Sequence, residues 1–92
     1  MTEEEKSILK PFCDEHGQLT AFPAKRKKKL AALHFLAEKF PDGEQWTEQQ
    51  VNDRLLEWHT FHDPATLRRE LYNAHLLNRT PDGGTYWREN SL

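Results

Sequence analysis

Apolar residues recur at helical spacing in four separate runs along this chain, and three of those runs open on a helix-capping signal. Thr2-x-x-Glu5 is a capping box, in which the hydroxyl and the carboxylate each take one unsatisfied backbone N–H. Ile8, Leu9, Phe12 and Cys13 follow it, so a short N-terminal helix is expected, ended or bent by Pro11. Asp14-Glu15-His16-Gly17 reads as a turn. Residues 18–22 read as a short extended stretch, because Phe22 stands before Pro23. The longest run predicts a helix over 24–39, with Leu30, Leu33, Leu36, Ala37 and Phe40 on one broad face. Phe35 falls nearly opposite and needs a second contact, for which the N-terminal segment is the candidate. Phe40-Pro41-Asp42-Gly43 stops the helix.

Thr47-Glu48-Gln49-Gln50 is a second capping box and starts a helix that runs to about Trp58 or His59, with Val51, Leu55 and Trp58 inward. Gln45-Trp46 before it is a candidate very short strand. After a tight turn, Asp63-Pro64 supplies a carboxylate cap followed by proline at the first helical position. That helix carries Leu67, Leu71 and Ala74 on its buried side, leaving Arg68, Arg69, Tyr72 and Asn73 outward. Residues 76–88 read as strand, turn, strand, with Asp82-Gly83 at the turn. The order predicts a mainly α protein with a small β hairpin, an α+β winged helix-turn-helix with an N-terminal helical extension. One domain is expected over 1–92: extension 1–23, helical core 24–75, wing hairpin 76–88.

Charge changes this picture because it is uneven. The net charge is −2 over 92 residues, yet Lys25-Arg26-Lys27-Lys28-Lys29 alone carries +5 and residues 30–63 carry −5. A case for a polyanionic partner therefore rests on local patches. Ten aromatic residues and 36 % hydrophobic content argue for a folded chain. The lone Cys13 excludes an intrachain disulfide and fits a reducing compartment. No apolar run reaches the roughly 20 residues of a membrane span. The acidic start is the opposite of a signal peptide's basic one. A cytoplasmic protein without membrane contact is expected.

Several motifs together resemble one prokaryotic family. They are Gly17-x-Leu19 with Phe22-Pro23-Ala24-Lys25-Arg26-Lys27-Lys28-x-Leu30, then Trp46-Thr47-Glu48-x-x-Val51-Asn52. After these come His62-Asp63-x-Ala65-Thr66-Leu67-Arg68-Arg69-Glu70-Leu71 and Gly84-x-Tyr86-Trp87-Arg88. Over nearly its whole length the chain is similar to the family named domain of unknown function 2087. Members occur alone and attached to transcriptional regulators, so the resemblance implies a place in gene regulation.

The candidate chemistry is binding. Arg pairs in bidentate fashion with guanine and Asn with adenine in the major groove, so Arg68, Arg69, Tyr72 and Asn73 on the second helix of the pair are candidate base readers. Arg79 and Arg88 flank the wing, where phosphate contacts would position the domain. Lys25, Arg26, Lys27 and Lys28 oppose the macrodipole at a helix start, which points to a polyanion. The bland readings stand beside these. Arg68 or Arg69 would pair a carboxylate such as Glu70, Arg79 and Arg88 would be edge-strand charge, and the lysines would neutralise the acidic middle of the chain. DNA is the leading partner, and another protein surface or a second copy is the alternative. His59-x-x-His62 has metal-compatible spacing but no third ligand, and Asp63 is wanted as a cap, so loop hydrogen bonding is expected and no cofactor. Cys13 and His16 lack an orienting third group, and no paired carboxylates suggest acid–base work, so no enzyme activity is expected.

Overall fold

Both capping boxes form. In the computed structural model, which describes residues 1–89, Thr2 and Glu5 satisfy each other's N–H groups, as do Thr47 and Gln50. The first box opens α1, Glu3–Leu9, which passes at Pro11 into a 3-10 turn, Lys10–Phe12. The chain continues as α2 (Arg26–Ala37), β1 (Gln45–Trp46), α3 (Glu48–Leu56), α4 (Pro64–Asn73), β2 (Leu77–Arg79) and β3 (Tyr86–Arg88). The fold is α+β and mostly helical, with a three-stranded antiparallel sheet in the order β1-β3-β2.

The helix predicted over 24–39 is shorter at both ends. Lys25 is extended (φ −75°, ψ 137°) and caps α2 without a side-chain hydrogen bond. At the other end the N–H groups of Lys39 and Phe40 bond three residues back, to Leu36 and Ala37, which tightens the chain out of the α-helix. Phe35 meets the Trp58 ring edge-on at 6.0 Å between centroids, while α1 docks on α2, seating Leu9 in the core and His34 against Glu5. Trp58 is therefore half-buried on the rim, where Lys39 lies over its ring, 3.8 Å from the centroid.

One core joins all the elements. Leu33, Leu36 and Phe40 meet Val51 and Leu55 of α3, Leu67 and Leu71 of α4, and Trp46, Leu77 and Tyr86 from the sheet. Phe40 and Trp46 pack edge-to-face at 5.1 Å. Sheet register decides which strand residues join. Trp46 faces Tyr86, and Arg79 faces Tyr86 on the other side, so these residues share the inward face with Leu77 and Arg88. Gln45, Asn78 and Trp87 are cross-strand partners and share the outer face.

The link between α3 and α4 corrects the expected tight turn. It occupies residues 57–63, because α3 ends at Leu56 once the N–H groups of Glu57 and Trp58 bond three residues back. Leu19, fully buried, straps this link from outside: its N–H donates to the Trp58 carbonyl at 2.8 Å and its carbonyl accepts from Thr60 at 2.9 Å. His59 holds it from inside. Nδ1–H donates to the Leu55 carbonyl at 2.6 Å and Nε2 accepts from the Asp63 N–H at 2.9 Å. Both ring nitrogens are engaged in loop hydrogen bonding, which requires the Nδ1–H tautomer.

Candidate nucleic-acid interface

Helix α4 is seated by two buried leucines, Leu67 and Leu71, four residues apart on one face. Asp63 accepts from the Thr66 N–H at 3.3 Å and Pro64 supplies the pre-set φ, so the helix starts where the sequence signals it. With Leu67 and Leu71 inward, Arg69 points directly outward and Tyr72 and Asn73 flank it; all three are exposed. Arg68 and Glu70 lie on the two sides, one toward α3 and one toward α2.

Arg79 arrives from the hairpin. It shares the inward face of β2 with Leu77 but lies two residues further along, past the edge of the core. Its guanidinium therefore reaches α4 and stacks on Tyr72, 4.6 Å from the ring centroid. Hydrogen bonding to Tyr86 and then Tyr72 raises its pKa further above the ordinary arginine value. The hairpin tip is fixed by its own side chains: Asp82 accepts from the Thr80 hydroxyl at 2.6 Å and from the Gly84 N–H at 2.9 Å. Those bonds hold the Asp82 carboxyl below its ordinary pKa. Gly83 at φ +74° completes the turn, and a Cβ there would sit 3.4 Å from an Arg79 nitrogen.

These residues enclose one hollow of about 340 Å³ lined by Arg68, Arg69, Tyr72, Asn73, Arg79 and Tyr86. None of the lining side chains is a carboxylate. Five of the six are candidates from the sequence; Tyr86, buried in the core, also lines the hollow. Asn73 also lines a second hollow of similar size, with Arg26, Lys29, Leu30, Leu33, Glu70 and His75. Asn73 thus links the hollow at α4 to one at the start of α2. His75, just past the end of α4 with φ +61°, carried no signal in the sequence.

The other candidate cations are placed differently. Arg68 is drawn sideways, donating to Asn52 and pairing with Glu48 at 2.7 Å, both on α3. The carboxylate expected to pair with an arginine, Glu70, pairs instead with Lys29 at 3.3 Å. Lys27 pairs with Glu4 of α1 at 2.6 Å, and Lys28 lies over the Phe12 ring at 5.8 Å. The lysine run thus meets α1 and α4 where the acidic middle segment had been the expected counterpart. Lys25 is exposed beside Arg26. Arg88, paired with Leu77 at the opposite end of the sheet from Arg79, donates to the Phe40 carbonyl at 3.4 Å and lies 4.0 Å from Asp42. It belongs to the far side of the molecule. Arg69 makes no ion pair among the described residues.

Cys13 is half-buried; burial and neighbouring Asp14 push its thiol up, with Lys39 opposing, which disfavours the thiolate that a nucleophile needs. Among the described residues no helix is long and apolar enough to cross a membrane, and no group of three or more His, Cys, Asp or Glu residues could hold a metal ion. Comparison with curated proteins and with solved structures gives no match. A family model does match. It is described as an uncharacterized protein conserved in bacteria, DUF2087, and it covers residues 18–88 of the 92, from the Leu19 strap through β3; the chain belongs to this family.

Proposed function

We propose that this chain is a DNA-binding module of the winged helix-turn-helix type, serving transcription control in the bacterial cytoplasm by binding and not by catalysis. The supporting order is α2, β1, α3, α4 and a β2–β3 hairpin, with β1 closing on β3. The observation that carries the reading is the hollow free of carboxylates in which Arg69, Tyr72 and Asn73 of α4 meet Arg79 of the hairpin. In this reading α4 enters the major groove, Arg69 and Asn73 meet base edges, and Arg79 holds phosphate. Arg26 extends the phosphate track past Asn73. A single module of this size binds weakly, so a second copy or an attached domain completes the site.

Selection from a random duplex library at two salt concentrations tests the proposal. Arg69→Ala is expected to weaken binding to a selected site by about 1–3 kcal/mol, roughly 5- to 150-fold. Undiminished binding would take α4 out of the readout. A second reading, a protein-interaction module of the same fold, is favoured by the neutralisation of Arg68 and by exposed Glu48 and Asp53 along α3 with Glu57 just past its end. Failure to retain any duplex at low salt would turn the assignment to that reading.

A further inference from the structure

The acidic helix α1 is laid against the basic head of α2. Glu3, Glu4 and Glu5 form its first turn, and Arg26, Lys27, Lys28 and Lys29 form the first turn of α2. Glu4 reaches Lys27 at 2.6 Å, Glu5 holds His34, and the following 3-10 turn places Phe12 beneath Lys28. The contact is not a chance surface pairing, because apolar packing fixes it: Leu9 is 2 % exposed, and the N-terminal amine pairs with Glu38 at the far end of α2. A free surface ion pair contributes little and comes and goes. Here the fold keeps the carboxylates within a Debye length of the lysines whatever the individual pairs do.

We infer that α1 is a built-in competitor for polyanions, which occupies Lys27 at the head of α2 and holds down the chain's affinity for duplex DNA. The inference rests on the DNA reading above but concerns a different surface. A phosphate that takes Lys27 must displace Glu4, and Glu3 in the same first turn, paired with Lys6 at 3.4 Å, adds a second negative charge to that end of α1. The matched family region begins at residue 18, so the competitor lies outside it and α2, on which it acts, lies inside.

The experiment measures affinity for a random-sequence duplex of about 20 base pairs, at about 50 mM and about 500 mM salt. E3Q/E4Q leaves the capping box and the Glu5–His34 contact in place. E44Q/E57Q removes the same two charges from exposed positions elsewhere and controls for net charge. E3Q/E4Q is expected to bind about threefold tighter or more at low salt, with a steeper salt dependence and no advantage at high salt. A gain no larger than that of E44Q/E57Q overturns the competitor while leaving the DNA reading intact, provided Arg69→Ala still loses affinity. If wild type and all variants leave the duplex unbound at low salt, both fall together.

Discussion

The chain has two basic regions, and they are built in opposite ways. The lysine run is the denser in sequence, with five consecutive cations, yet Lys27, Lys28 and Lys29 are turned toward Glu4, Phe12 and Glu70. The groove between α4 and the hairpin draws on cations ten residues apart, and there Arg69 and Arg79 converge with Tyr72 and Asn73 on one hollow. Cation density along a chain therefore says little about the field at its surface. Which carboxylates the tertiary packing delivers decides the outcome.

The largest test breaks the frame that produces the convergence. Leu71 is fully buried under α4, and Leu71→Ala should cost about 2–5 kcal/mol in chemical denaturation, with DNA binding lost in parallel. Unchanged stability would mean that α4 is not seated as described. A finer test sets one cation from each region against the other. Arg79→Ala should weaken duplex binding several-fold and lower the slope of log K against log salt by about 0.9, as expected for one phosphate contact. Lys28→Ala, already over the Phe12 ring, should change the slope by clearly less. Equal losses would erase the contrast. The smallest effect concerns α1. Burial alone would raise the Glu5 carboxyl, but hydrogen bonds from His34 and the Thr2 N–H, together with nearby positive charge, hold it below its ordinary value. A carboxylate lowered in the folded chain contributes stability that is complete above the ordinary glutamate range and is lost as pH falls through the folded value. Thermal unfolding followed across the acid range should lose that increment in wild type, and Glu5→Gln should flatten it.

Where an element is specified by neighbours three or four residues apart, the sequence announces it. Thr2 with Glu5, Thr47 with Gln50, and Asp63 before Pro64 each fix a helix start through bonds made inside one turn. The outward face of α4 was legible for the same reason, since Leu67 and Leu71 set its phase. What could not be read depends on how helices cross. Arg68 and Glu48 are far apart in sequence and meet only because α3 lies beside α4, so the reader expected on Arg68 becomes a strut between helices. Arg79 and Arg88 look equivalent beside the turn, yet register sends one to α4 and the other to the Phe40 carbonyl. The tight turn after α3 failed because nothing local marks Leu19 as the partner of Trp58 and Thr60.

The backbone bonds from Leu19 to both sides of His59 carry a consequence for how this fold tolerates change. A surface connection ordinarily absorbs added or missing residues at small entropic cost. This one is buttoned at two points to a distant stretch of chain, so lengthening residues 57–63 by a single amino acid would put its hydrogen bonds out of step. The pitch of α4 would then change relative to the rest of the molecule, which makes that short crossing the place where natural variation should be scarcest and where an engineer could retune the angle at which the groove is presented.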